Sequence, residues 1–154
     1  MPCYVGHYRG DPSCPELLNY GVRVGISYGT PPGLVAGALL QFVDQMRRGV
    51  ALLDPVIPIG LPPQTTGELR GVINLAANAH GEWVRIHPFA HGNGRTARIW
   101  ANWIMVRYGL PPFVRLKPRP RGLSYNAASQ ASMSGDHTPT SLLFMDWVTD
   151  RMSP

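Results

Sequence analysis

Between Pro31 and Gly49 the residues Leu34, Val35, Ala38, Leu39, Phe42, Val43 and Met46 recur at steps of three and four. That spacing gathers side chains on one face of an α-helix. Pro31-Pro32 suits the start of such a helix, and Arg47-Arg48-Gly49 suits its end, with positive charge in the last turn and glycine beyond. A second helix is predicted from a cap at Thr65 or Thr66, carrying Leu69, Val72, Ile73, Ala76, Ala77 and His80 towards Gly81. A third runs from Asn93 or Gly94 to Tyr108 and is halted by Gly109-Leu110-Pro111-Pro112. Its Ile99, Trp100, Trp103, Ile104 and Val106 cover most of the circumference, which predicts the central, buried helix. Ala127–Ser132 and Ser141–Arg151 supply two more helices. Near the N-terminus Val22, Val24 and Ile26 alternate with Arg23, Gly25 and Ser27, a period of two that predicts a short strand or hairpin arm. Glycine and proline cluster in Gly29–Gly33, Asp54–Pro63 and Gly109–Pro120, which read as connections. The expected class is all-α with a small β element near the N-terminus.

The chain has 154 residues, the size of one domain, expected to span 1–154. Its apolar runs are far short of the 18 or so residues of a membrane span, and no basic segment followed by an apolar one opens the chain. Cys3 and Cys14 form no Cys-x-x-Cys pair and have no histidine cluster beside them. A disulfide framework or zinc site is therefore not expected, and the expected setting is a reducing cytoplasm with no membrane partner.

Charge changes the picture. From Trp83 to Gly135 there is no Asp or Glu, while Arg85, Arg95, Arg98, Arg107, Arg115, Lys117, Arg119 and Arg121 fall inside that window. The rest of the chain carries a net negative charge, although the whole is +5. One segment is thus suited to an anion, phosphate first among them, or to a basic surface patch without a specific ligand.

Within that window lies Ile86-His87-Pro88-Phe89-Ala90-His91-Gly92-Asn93-Gly94-Arg95-Thr96-Ala97-Arg98. It reads as a loop entering a helix N-terminus, where outward-facing backbone N–H groups and the helix dipole favour an anion. Gly92 and Gly94 let a phosphate approach the backbone, and Arg95 and Arg98, three apart on the first turn, reach the same anion. His87, held by Pro88, is placed to reach a hydroxyl beside the phosphate. A base, an anion hole and a clamp are the parts of phosphoryl or nucleotidyl transfer. Taken singly, the same residues also fit a structural histidine, an ordinary turn and solvated arginines.

The segment resembles the signature of the Fic (filamentation induced by cAMP) family, within the Fic/Doc superfamily: His-Pro-Phe-x-(Asp/Glu)-Gly-Asn-Gly-Arg-x-x-Arg. His87, Pro88, Phe89, Gly92, Asn93, Gly94, Arg95 and Arg98 match it in spacing. Gly21 to Pro32 is similar to the family's flap hairpin (about 20–30), and Tyr125 to Trp147 to its C-terminal helical pair. The resemblance implies a Fic-like helical bundle with a β-hairpin flap, its motif loop and helix at 87–108. It also implies AMPylation, the transfer of AMP from ATP to a Ser, Thr or Tyr hydroxyl of a target protein. His87 would be the general base, and Gly92, Asn93 and Gly94 the anion hole. Arg95 would steady the phosphate chain and Arg98 hold the terminal phosphate. The flap residues Val22, Arg23, Val24, Gly25, Ile26 and Ser27 would register the target segment by strand-like pairing.

One position departs. The family's acidic residue, which helps hold Mg²⁺, is His91 here. Imidazole is a poor ligand for a hard cation, so weak activity, a softer ion such as Mn²⁺, or a cationic His91 in place of metal charge follow as expectations. A phosphotransferase of the Doc type and a non-catalytic nucleotide- or nucleic-acid-binding module are the alternatives. The family's inhibitory helix, (Ser/Thr)-x-x-x-(Glu/Asp)-(Gly/Asn), has one near miss, Ser132 to Asp136 followed by His137. Restraint is therefore expected from a small inhibitory partner protein or from the altered metal position.

Overall fold

The computed structural model describes residues 4–120 and 122–152; Cys3 and Arg121 lie outside the described residues. In chain order the elements are α1 (Pro15–Leu18), a hairpin of β1 (Arg23–Val24) and β2 (Ser27–Tyr28), α2 (Val35–Leu53), α3 (Thr66–Ile86), α4 (Asn93–Arg107), α5 (Leu123–Met133) and α6 (Thr138–Met152). The two strands pair antiparallel, Arg23 opposite Tyr28 and Val24 opposite Ser27. The described residues thus form an all-α bundle with a small hairpin near the N-terminus, as the periodicities predict.

α3 is the axis of the bundle, packed against α2, α4, α5 and α6. It starts with a full capping box. Thr65 Oγ1 accepts from the Glu68 N–H, and the Glu68 carboxylate accepts from the Thr65 N–H, which satisfies two of the helix's orphan donors. Val72, Ile73, Ala76, Ala77, Ala79, His80, Trp83, Val84 and Ile86 are all buried. Two aromatic groups flank this axis. Phe42 of α2 lies edge-on to both Trp83 and Trp100. On the other side His80 lies edge-on to Tyr125 and Phe144, and Trp147 stacks on Tyr125.

Three expectations are corrected. Gly49 and Gly81 do not end their helices: α2 continues to Leu53 and α3 to Ile86. Both glycines are contact notches instead, since a Cβ on Gly49 would collide with Leu75 Cδ1 and one on Gly81 with His137 Nδ1. A mid-helix glycine costs about 1 kcal/mol relative to alanine, offset here by the close approach of a neighbouring side chain. The central helix is α3, not α4: α4 buries Ala97, Arg98, Ala101, Ile104 and Met105, while Ile99, Trp103 and Val106 are exposed. The hairpin expected at 22–27 does form, with its turn over Gly25 and Ile26, which leaves Ile26 81% exposed at the tip. Leu34 and Val43, placed by their spacing on one helix face with Phe42 and Met46, are exposed, and Leu34 precedes α2.

No helix among the described residues is long and apolar enough to cross a membrane. Asp54 secures the far end of α4, accepting from Tyr108 Oη at 2.9 Å and from Arg107 Nη2 at 2.5 Å. The Gly60 N–H donates to the Arg107 carbonyl, so the proline-rich connection closes over that helix end.

The buried His80 makes stability depend on pH. Burial first, then the charges of Arg98, His137 and Arg119, push its pKa down to about 3. The unfolded chain therefore takes up a proton near pH 6.5 that the folded protein refuses. Stability contributed by neutral His80 is full above that pH and declines as pH falls towards 3. Denaturant unfolding of wild type and His80→Phe across pH 7 to 5 should show a steeper loss in wild type, approaching about 1.4 kcal/mol per pH unit. Parallel slopes would remove His80 as the cause.

Candidate active site

The chain leaves α3 through His87, whose backbone sits in the left-handed region at φ 52°, uncommon for a residue with a Cβ. The cause lies 78 residues earlier. Arg9, wholly buried, donates from Nε to the His87 carbonyl at 2.7 Å and from Nη2 to the Ile86 and Thr30 carbonyls at 3.0 and 2.8 Å. Its Nη1 donates to the Tyr20 carbonyl, and its own N–H to the Pro88 carbonyl at 2.7 Å. These acceptors include carbonyls at the C-terminal end of α3, where the helix dipole favours a cation. Nothing in the sequence marks Arg9, because its partners are backbone carbonyls.

His87 Nδ1 donates to the Val84 carbonyl at 3.1 Å, which leaves Nε2 with its lone pair. Burial pushes the imidazole below its ordinary pKa; the bond to Val84 opposes this and the Arg9 charge reinforces it. The flap packs close by: a Cβ on Gly29 would lie 3.0 Å from His87 Cβ and 2.8 Å from Val22 Cγ2. Ser27 Oγ accepts from Gln130 Nε2 at 2.6 Å, which ties the hairpin to α5.

Beyond His87 the loop is braced by Asn93. Its side chain accepts from the Phe89 N–H at 2.8 Å and donates to the Phe89 carbonyl at 2.7 Å. The Asn93 side chain is thus committed to the loop, and only its backbone N–H is left to serve an anion. Gly92 caps α4 in the left-handed conformation, and the helix's first bonds run from the Arg95 and Thr96 N–H groups to the Gly92 carbonyl. The N–H groups of Asn93 and Gly94 therefore precede the ladder as the orphan donors of a helix N-terminus.

His87, Gly92, Gly94, Arg95 and Arg98 line one cleft of about 250 Å³, joined by Val24 of the flap. Sequence reasoning did not place Val84, Tyr125 and Ser129 at the site, and Arg119, read only as part of the basic window, joins them there. Arg98 is 6% exposed; it donates from Nη2 to the Leu116 carbonyl and from Nη1 to Tyr125 Oη. The Tyr125 hydroxyl also shares a hydrogen bond with His80 Nε2 at 2.9 Å. Among the flap residues Arg23, Gly25 and Ile26 are exposed, and Val24 faces the cleft. A wider groove of about 550 Å³ lies along α3 and the start of α6 and contains none of the motif residues. Asp136, the acid of the inhibitory near miss, lines that groove and accepts from the Thr138 N–H.

The cleft is suited to a polyanion with a reacting hydroxyl beside it. It does not suit a protein-held Mg²⁺, which asks for hard oxygen ligands. No carboxylate is among its lining residues, and none occurs between Trp83 and Gly135. His91, in the acid's place, is exposed and edge-on to Tyr4 with ring centroids 6.3 Å apart.

Removing the Arg9 guanidinium leaves four carbonyls without their donor, at a cost of about 3 kcal/mol or more. Arg9→Met should therefore lower the unfolding midpoint. Loss of the positive charge should also raise the His87 pKa, followed by NMR titration of the imidazole. Arg9→Lys, which keeps the charge with fewer donors, should lose stability with a smaller pKa change. Unaltered His87 titration in both variants would dissociate Arg9 from the imidazole.

Residues 36–105 match the Fic/DOC family. Over 67 residues the chain is 43% identical to "Protein adenylyltransferase fic-1" of Caenorhabditis elegans, an alignment covering 44% of this chain and 13% of that protein. Over 78 residues it is 39% identical to "Protein adenylyltransferase Fic" of Drosophila virilis and of Drosophila melanogaster, covering 51% of this chain and 15% of each relative. The chain thus spans about a seventh of the length of these relatives. The whole motif lies inside the matched segment, so the likeness to the Fic/DOC family covers residues 36–105 and includes His87, Gly92, Gly94, Arg95 and Arg98 on the cleft.

Proposed function

We propose that the protein transfers AMP from ATP to a Ser, Thr or Tyr hydroxyl of a target protein. The observation that carries this reading is one cleft that joins an imidazole with a free Nε2, the N-terminus of α4 and the arginines Arg95 and Arg98. The resemblance to proteins named adenylyltransferases supports the choice of nucleotidyl over phosphoryl transfer.

In this reading the hydroxyl oxygen attacks the α-phosphorus of ATP. A new P–O bond forms, the bond to the β-phosphate oxygen breaks, and pyrophosphate leaves with the electron pair. The hydroxyl proton passes to His87 Nε2, which the Nδ1–Val84 hydrogen bond keeps in the accepting tautomer. The Asn93 and Gly94 N–H groups and the side chains of Arg95 and Arg98 face the phosphate charge as it redistributes. The target segment adds to the edge of the two-stranded flap, whose Val24 borders the cleft. A small partner protein that covers Arg98 would restrain the reaction.

Incubation with a target-containing lysate and ATP labelled at the α- or the γ-phosphate tests the reading. Label from the α-phosphate alone is expected; label from the γ-phosphate would establish phosphotransfer instead. His87→Ala should lower transfer by about 10² to 10⁴ with nucleotide affinity retained, and full activity in that variant would sink the assignment. Because burial holds the His87 pKa below its ordinary value, wild-type transfer should stay level as pH falls through about 6.5 and drop only below it. Arg98→Ala should weaken ATP more than AMP, by about 1.5–3 kcal/mol for the lost charge-assisted contact; equal losses would reassign Arg98.

A further inference from the structure

The cleft's cations outnumber what the family signature accounts for. Arg119, outside the motif, lines the same cleft as Arg95 and Arg98. Its Nη2 donates to Asn126 Oδ1 at 2.7 Å, and its guanidinium carbon lies 5.5 Å from the Tyr125 ring centroid. That amide and ring orient the fork without neutralising it. Arg98 likewise rests on neutral acceptors, a carbonyl and a hydroxyl. Among the described residues no ion pair includes Arg95, Arg98 or Arg119.

The acids of the chain are placed elsewhere. Asp11 faces His7 and Ser13, Asp44 faces Arg48, and Asp54 holds Arg107 and Tyr108. Glu68 closes the α3 capping box, Glu82 pairs with Arg85 and His137, and Asp136 accepts at the start of α6. Glu16 lies on α1, and Asp146 and Asp150 on α6. The field of this arrangement reaches as far as His80, whose imidazole both Arg98 and Arg119 disfavour in its charged form.

From this we infer that the cleft takes its nucleotide as the bare polyphosphate anion, with Arg119 as a third phosphate-binding cation beside Arg95 and Arg98, where the family places a carboxylate-held divalent ion. The inference rests on the nucleotide reading above and specifies the ionic form of its ligand. A chelated Mg²⁺ neutralises part of the polyphosphate charge. Without a carboxylate to receive the ion, chelation subtracts from the arginine contacts and adds no protein–metal bond in return.

The test is calorimetric binding of ATP and of inorganic tripolyphosphate to wild type, Arg119→Ala and His91→Asp, each with EDTA or with saturating Mg²⁺. Wild type should bind both ligands at least as tightly in EDTA as in Mg²⁺. Arg119→Ala, an exposed position whose loss leaves the core intact, should weaken both in EDTA by about tenfold, with circular dichroism unchanged. His91→Asp should invert the metal effect, so that Mg²⁺ tightens binding. A tightening of wild-type binding by Mg²⁺ of about tenfold, or an Arg119→Ala protein equal to wild type, would overturn the inference. Tripolyphosphate carries no AMP, so it separates this inference from the reading it rests on. Metal-free binding of tripolyphosphate without label transfer from ATP would end the AMP-transfer reading and keep the three-arginine site. Label transfer together with Mg²⁺-tightened binding would do the reverse.

Discussion

A guanidinium sealed from water must hand its hydrogens to acceptors inside the protein, and Arg9 hands them to carbonyls of Tyr20, Thr30, Ile86 and His87. The acceptors lie in three stretches: the approach to the flap, its exit, and the end of α3 at Ile86 and His87. Three stretches therefore converge on one planar fork, whose geometry admits little sliding. The left-handed turn at His87 is held by this convergence, as is the closeness of Gly29 to the imidazole. A buried cation without a carboxylate is expensive. Here the end of α3 supplies partial negative charge, and satisfied backbone carbonyls do the rest.

The same economy of negative charge marks the whole site. Arg95, Arg98 and Arg119 line the cleft, Arg9 lies behind its His87, and no carboxylate is among the lining residues. Such a distribution leaves a standing positive potential over the cleft, focused by its apolar walls of Val24 and Val84. The imidazoles respond according to depth. His80, deep in the core, is driven far down, and His87, nearer the cleft, is lowered but keeps an accessible lone pair.

What the sequence reveals and what it hides divide along a physical line. Thr65 with Glu68, the entry of α4 after Gly92 and the period of two at the flap are local chemistry, and each is visible in a few neighbouring residues. The motif's cleft residues are legible because their spacing reflects one loop and one helical turn. Gly49 and Gly81 mislead because a glycine that ends a helix and one that admits a neighbouring side chain look alike until Leu75 and His137 are in place. The apolar circumference of α4 misleads because Ile99, Trp103 and Val106 stand in solvent while the small residues Ala97 and Ala101 make the contact. Arg9 and Tyr125 escape notice, and Arg119 stands out only as one basic residue of its window, for a third reason: their roles exist only after distant segments meet.

The Arg9 clamp also bears on where this fold can be divided. The segment that matches the family begins at residue 36, yet Arg9, the Tyr20 and Thr30 carbonyls and the whole hairpin precede it. A fragment cut at that boundary would keep every motif residue and lose the fork that holds the turn at His87. Similarity and mechanical integrity therefore have different borders in this chain, and a graft of the motif helix pair into another scaffold would need a replacement for one arginine that no alignment of the motif contains.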